Sequence, residues 1–423
     1  MDKTRIKIAD NISITKIIDK KFVTNTIAIR FISDHNEKYA SSKALCGSII
    51  TTASKEYPTI TAMSQKLASL YNGSLWNNIY KLADKSVLMV GTDFILDKLA
   101  YDGEKVSCEM AKILVDCIFK PAFTETECDK DLFESLKKDL VDCIEAKINE
   151  KRSYAINRAS ETAFIGEALA IPTFGTLEQA KSLTLADVYE AYQYILHNSN
   201  IEVTIAGGGD FDEAYEIIKN ALMPLASDSK CNDEFVYHSK LKTEVANVTE
   251  KLDVNQCKLV MVYKTEYDNL LANKLMSVIL GGSPFSKLFL NVREKLSLCY
   301  YCAARYLDDR CAFIIDSGVE KANVEKAIDE IKNQLNNIIN GEITDDEINN
   351  TKLFVASAAK CSCDYVSDMI SWDFTQFVRK TNYTPQEYID KLYEVSRDEI
   401  IQAAKSLKLD TVYLMESEEN ADE

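Results

Sequence analysis

Arg293 and Tyr300 are the residues whose type and spacing best suit chemistry on a peptide. They lie in the run Gly281-Gly282-Ser283-Pro284-Phe285-Ser286-Lys287-Leu288-Phe289-Leu290-Asn291-Val292-Arg293-Glu294-Lys295-Leu296-Ser297-Leu298-Cys299-Tyr300. The glycine pair predicts a helix stop and Pro284 a turn, with a substrate-facing backbone edge as the second reading. A short amphipathic helix then ends at Val292-Arg293-Glu294-Lys295, and a strand opens near Ser297. Arg293 and Tyr300 are therefore expected at one helix-to-strand corner. A guanidinium there can donate to a peptide carbonyl, and a phenol can supply a second donor. Tyr300 and Tyr301 are expected to face opposite sides of the strand, one of them toward the core, and a one-residue bulge would exchange the two rings.

Other reactive residue types give weaker patterns. The chain has three histidines, His35, His197 and His238, and none has a histidine partner four residues away. The helical pair that binds zinc in many peptidases is therefore missing. His35 reads as a solvated turn residue and His197 as a contact at a helix end. The 12 cysteines are scattered and read as reduced, mostly buried thiols. Cys299 and Cys302 form a C-x-x-C on a predicted strand. Residues three apart on a regular strand face opposite ways, so a shared metal or a redox pair is not expected there. Cys361 and Cys363, two apart in a helical pattern, are no better placed. Gly207-Gly208-Gly209-Asp210 follows a strand and precedes a helix, but it lacks nucleotide-loop spacing, and Asp210 and Asp212 would repel phosphate.

The elements that must position these residues follow from composition and pattern. The chain is 423 residues long, 46% apolar and 27% charged, with a formal charge of −17. Acidity without a Lys/Arg cluster argues against nucleic acid. The opening Met-Asp-Lys-Thr-Arg-Ile-Lys lacks the apolar core of a signal peptide. No run approaches membrane-helix length, so a cytoplasmic protein without a membrane role is expected. A polar, turn-rich stretch near 224–245 divides the chain into domains at 1–225 and 245–423. The halves repeat: Thr184/Asp187 and Ser396/Glu399 each read as a helix capping pair, and each helix is followed by an alternating strand. Thr344/Glu347 reads as a third such pair. Strands are predicted near 5–18, 22–33, 74–81, 85–94, 201–205, 246–253, 258–265, 297–307, 310–318 and 411–415. Helices are predicted near 40–54, 59–71, 105–118, 126–165, 268–280, 286–294, 322–338 and 344–380. This order gives an α+β fold of antiparallel sheet plus helices. The acidic tail Glu416–Glu423 reads as a solvated end.

The Gly-Gly…Arg-Glu-Lys…Leu-x-Tyr run resembles the C-terminal half of the pitrilysin/insulinase metallopeptidases, especially the mitochondrial-processing-peptidase-like branch. The resemblance extends over roughly residues 5–416. It implies a clamshell of two homologous halves, with Arg293 and Tyr300 in the family's substrate-holding pair. Active members carry His-x-x-Glu-His on a helix of the first half, just before a turn that here matches Ala53-Ser54-Lys55-Glu56-Tyr57-Pro58. Counting back places the motif on Ala44-Leu45-Cys46-Gly47-Ser48. Ala44 and Ser48 replace the two histidines, Gly47 replaces the catalytic Glu, and the third ligand falls near Asp142 to Glu145. Alanine and glycine offer no ligand or base, and a serine hydroxyl is a poor one.

The resemblance thus implies a non-catalytic, substrate-binding subunit of a heterodimeric zinc-dependent peptidase. No cofactor is expected in this chain. Zinc is expected on a paralogous partner subunit, and an extended peptide could add to an edge strand of the first half. The alternatives are an active metallopeptidase with Asp, Glu or Cys ligands, or a stand-alone peptide-binding scaffold, a homodimer among its forms.

Overall fold

The computed structural model describes residues 2–417; the acidic tail beyond Ser417 lies outside the described residues. The first sheet contains β1 (Asp2–Ala9), β2 (Ile12–Ile18), β3 (Thr24–Asp34), β4 (Ser74–Leu82), β5 (Lys85–Ile95) and β6 (Asn200–Gly207). Its order is β1-β2-β6-β3-β5-β4. The second contains β7 (Ala246–Leu252), β8 (Cys257–Lys264), β9 (Cys299–Leu307), β10 (Ala312–Val319) and β11 (Lys408–Ser417), ordered β7-β11-β8-β10-β9.

Without β1, the two orders are the same. In each, the last strand of its half inserts between the first two. It runs parallel to one neighbour (β2·β6, β7·β11) and antiparallel to the other (β3·β6, β8·β11). A shared order with its one parallel pair in the same place is the topology of a duplicated unit.

Among the described residues, eight α-helices belong to the first half: α1 (Ala40–Thr52), α2 (Ile60–Ser69), α3 (Val106–Phe119), α4 (Lys130–Ala146), α5 (Lys151–Ala163), α6 (Leu177–Ser182), α7 (Leu185–His197) and α8 (Asp212–Leu222). Six belong to the second: α9 (Leu270–Ser277), α10 (Val324–Ile339), α11 (Asp345–Cys361), α12 (Val366–Val378), α13 (Pro385–Glu394) and α14 (Arg397–Lys405). The capping pairs form as read. Thr184 caps α7 with Asp187, Thr344 caps α11 with Glu347 and Ser396 caps α14 with Glu399, each closing both hydrogen bonds.

Three predicted elements divide. The strand expected at 5–18 is the hairpin β1–β2. The helix expected at 126–165 breaks at 147–149 into α4 and α5, and that at 344–380 breaks after Cys361 into α11 and α12. The helix breaks have a tertiary cause, because the chain passes there from one compact unit to the other. Unit 1 comprises 1–145, 171–234 and 363–380; unit 2 comprises 146–170, 235–362 and 381–423. Each sheet thus takes a helix from the opposite half of the chain.

These donated helices explain the burial of the central strands. β3 and β10 are buried along nearly their whole length, so both faces must be covered. In unit 1, one face carries the large core that includes Ile27, Leu45, Ile49, Leu88, Met110 and Val188. On the other face, Val366, Met369 and Ile370 of α12 pack on Ile17, Ala28 and Ala206. In unit 2, Ala155, Ile156 and Ala159 of α5 pack with Val260, Val262, Ile314 and Tyr413. Arg152 of the same helix is paired with the buried Asp316 carboxylate of β10.

Candidate functional site

Helix α1 carries the positions where the family's zinc motif would fall, and it is buried on nearly all sides. Ala44 packs into the core of unit 1. A side chain at Gly47 would require the side-chain ends of Leu88 and Asn77 to move. A Cβ there would stand 2.7 Å from Leu88 Cδ1 and 3.1 Å from Asn77 Oδ1. The Ser48 hydroxyl donates to the Ala44 carbonyl at 3.3 Å, and Asn77 donates to Thr51 Oγ1 at 2.9 Å. Cys46, wholly enclosed, has its thiol pushed up to about 12 by burial. In the region of the third ligand, Glu145 is paired with Lys181 at 2.8 Å. Among the described residues, no three His, Cys, Asp or Glu side chains converge where a metal ion could be held. The zinc that the fold family implies does not fit these residues. The helix to which the sequence reading assigns the motif packs into the hydrophobic core of unit 1.

The segment bearing Arg293 and Tyr300 is built differently. Helix α9 widens into a π-helical turn, Val278–Gly282, and a second π-helical stretch spans Leu288–Lys295. Such turns are rare and cluster at functional sites. Gly281 is required here, because a Cβ would approach the Ala304 backbone nitrogen to 2.5 Å. Its absence lets the helix lie against β9. Leu288 and Val292 anchor the second stretch, and Asn291 donates to Gln334 at 2.9 Å. Arg293 is left half-exposed, its guanidinium 4.7 Å from the Phe289 ring centre and in loose contact with Glu294 at 3.5 Å. Ser297, at φ 53, reverses the chain into β9.

β9 opens with a bulge. Tyr301 pairs with Gly318 and Cys299 with Val319, so Tyr300 is the extra residue. Its ring is 65% exposed. Tyr301 is half-buried, with Arg152 at 4.3 Å and Lys258 at 5.8 Å from its ring centre. Its hydroxyl is buried without a partner, and its ionisation is pushed up first by burial and then by Asp316. Arg293 and Tyr300 therefore both reach solvent from one connection of unit 2.

The bulge also corrects the reading of the cysteine pair. Inserting one residue cancels the alternation: Cys299 pairs with Val319 and Cys302 with Ser317, so the two share a face and are both buried instead of facing opposite sides. His35 is a second correction. It is 5% exposed, not solvated, with Nε2 against the Ile171 carbonyl at 3.2 Å and Nδ1 unpaired. Burial first, then the charges of Lys81 and Lys43, hold its pKa down to about 4. His197 lies exposed in the last turn of α7. The Gly208-Gly209-Asp210 turn lines a cavity of about 370 Å³. Asp97, Asp210, Asp212 and Glu213 outnumber Lys98 and Lys105 there, an unfavourable field for phosphate. No described helix is long and apolar enough to cross a membrane.

Comparison with known proteins bears on the same elements. Residues 182–353 match the peptidase M16 inactive domain, a span that contains Arg293 and Tyr300 but not the Ala44–Ser48 region. The probable inactive metalloprotease YmfF of Bacillus subtilis is 22% identical over 406 residues, covering 95% of each chain. A conserved protein from Enterococcus faecalis V583 superposes with a TM-score of 0.92 at 24% identity over all of both chains. A structure described as the peptidase M16 inactive domain from Pseudomonas fluorescens gives a TM-score of 0.79 at 14% identity, covering 99% of this chain and 98% of that one.

Proposed function

From a chain that has the M16 peptidase fold, matches that family's inactive domain and carries Ala44, Gly47 and Ser48 where the sequence reading places its metal motif, we propose a non-catalytic, substrate-binding subunit of a two-chain zinc-dependent peptidase. Arg293 and Tyr300 would donate to backbone carbonyls of an extended peptide, and a paralogous partner would supply the zinc and the general base. β4, an outer strand of the first sheet with one side unpaired, offers an edge to which such a peptide could add.

The observation that carries this reading is the contrast at two positions. Gly47 lies in a buried helix against the side-chain ends of Leu88 and Asn77, whereas Arg293 and Tyr300 reach solvent with their donors largely free. A chain that had only decayed would have no reason to keep both donors exposed on a segment built from two π-helical turns.

The test is reconstitution with a paralogue that carries His-x-x-Glu-His. Arg293→Ala should lower kcat/KM of the pair about 10- to 100-fold, the worth of a charge-assisted hydrogen bond. Tyr300→Phe should lower it less, and this chain should stay folded in both cases. Full activity of both mutant pairs would reject the assignment.

A further inference from the structure

The glycine turn after β6 opens a cavity of about 370 Å³ at one end of the first sheet, where β3 begins and β5 and β6 end. Gly209 carries no positive φ, so its backbone would accept a side chain. Space is what a side chain would lack: the nearest atoms to a Cβ there are Oδ1 and Nδ2 of Asn25, both at 3.1 Å. The Gly209 N–H donates to Asn25 Oδ1 at 3.2 Å, which fixes the nitrogen at the other end of the amide. Asn25 is 1% exposed and lines the cavity, and its Nδ2 meets no partner among the described residues. A buried amide donor without an acceptor carries a desolvation cost that a bound carbonyl would remove.

Most of the charges around the cavity are satisfied by neighbours. Asp97 accepts from the Ser107 N–H at 2.8 Å and from its hydroxyl at 2.6 Å. Asp212 is paired with Lys16 at 2.8 Å. Glu213 is paired with Lys105 at 3.2 Å and accepts from the Cys108 thiol at 3.2 Å. Two charges remain. Asp210 accepts only from the Asp212 N–H, at 3.1 Å, and Lys98 has no ion pair among the described residues. Both line the cavity, yet they do not pair with each other. The cavity therefore offers one anion, one neutral donor and one cation. Their complement is an ammonium, a carbonyl and a carboxylate on one small molecule, which is the constitution of a free dipeptide.

We propose that this cavity binds a short peptide with both ends free, about two or three residues long, a size suited to the low end of small-ligand cavities. The peptide's ammonium sits on Asp210, its first carbonyl accepts from Asn25 Nδ2, and its carboxylate sits on Lys98. The charge-assisted contacts select for free termini, and the amide between them selects for a peptide group. The acidic lining tolerates such a ligand because it carries no net charge, whereas a phosphate would be repelled. The assignment lies wholly within unit 1 and does not rest on the reading of Arg293 and Tyr300.

The test titrates the full chain with alanylalanine, its N-acetyl form and its C-terminal amide, followed by calorimetry. The free dipeptide should saturate one site, and each blocked form should bind about tenfold or more weakly, the effect of losing one charge-assisted contact. Asp210 and Lys98 are exposed, so variants there should stay folded. Asp210→Asn keeps an acceptor for the Asp212 N–H. It should bind the free dipeptide no better than the acetylated one, and Lys98→Met should bind it no better than the amide. Gly209→Ala presses a methyl group on the Asn25 amide and should weaken the free dipeptide several-fold. Absence of saturable alanylalanine binding at millimolar concentration would overturn the site. So would equal binding of the three probes, or variants that keep the parent's preference for free ends. Arg293→Ala should bind the dipeptide as the parent does, so failure here and failure of the Arg293 reading are told apart.

Discussion

The two repeats build the same connection in opposite ways. Between β3 and β4 the chain forms α1 and α2; between β8 and β9 it forms α9 and the π-helical turns that end at Tyr300. In the first connection, Ala44, Gly47 and Ser48 are absorbed into packing and backbone hydrogen bonds. In the second, Arg293 and Tyr300 are held out toward solvent. The contrast teaches that equivalent connections of the two repeats can be spent on packing or on exposed donors. A side chain at 47 would meet the ends of Leu88 and Asn77, so these positions belong to the packing of unit 1.

The strongest way to break the comparison is to put the ligands back. Ala44→His, Gly47→Glu and Ser48→His together insert three large side chains into close-packed surroundings. Overpacking costs about 1–3 kcal/mol per site. The triple variant should therefore unfold unit 1 or lower its melting temperature sharply, and it should bind no stoichiometric zinc by metal analysis. A stable variant with one tightly held zinc would show that the pocket was only unliganded.

Acid should separate the two regions next. His35 is held neutral near the start of the first connection, with a folded pKa of about 4 against an ordinary 6.5. Between those values the unfolded chain binds more protons than the folded one, so stability rises with pH through this window. The contribution is complete above about pH 6.5 and lost as pH falls toward 4, up to roughly 3 kcal/mol for this group. Denaturant melts across pH 4–7 should show that slope in the parent, and His35→Gln should flatten it. An unchanged slope would mean that other groups govern acid sensitivity.

A finer comparison sets glycine against glycine. Gly47→Ala should cost about 1–3 kcal/mol through the Leu88 contact. Adding Leu88→Ala should cost less than the sum of the two single changes, because the second substitution removes the atom that the first collides with. Gly282, whose nearest neighbour is Val278 Cγ2 at 3.2 Å, should accept Ala within about 1 kcal/mol. Strict additivity at 47 and 88 in urea melts would remove the packing explanation.

What the sequence disclosed and what it concealed divide along range of interaction. Capping pairs such as Thr344/Glu347 were legible because three residues settle them. The missing histidine pair was legible because absence requires no alignment. The breaks after α4 and α11 were not, since nothing local stops either helix; each ends where the chain leaves one unit for the other. The bulge at Tyr300 belongs to the pairing of β9 with Gly318 and Val319, 18 and 19 residues on in the sequence, and it overrode the alternation expected for Cys299 and Cys302. His35 looked exposed because the Ile171 carbonyl and Lys43 that enclose it are remote or lie on another element.

The smallest expected effect is the most discriminating. Arg293→Ala should change folding stability by no more than about 1 kcal/mol, because its two contacts are both partly solvated. Its contact with Glu294 is 3.5 Å long and both side chains are solvated, so the pair contributes little. Its stacking on Phe289 is of the exposed kind, worth about 0.5–1 kcal/mol at most. Loss of peptidase activity in the reconstituted pair with unchanged melts would place the guanidinium's role in binding. A stability loss above about 2 kcal/mol would instead mean that Arg293 holds the end of its helix in place. The open connection would then be a structural feature like the sealed one, and the difference between the two repeats would lie in exposure alone.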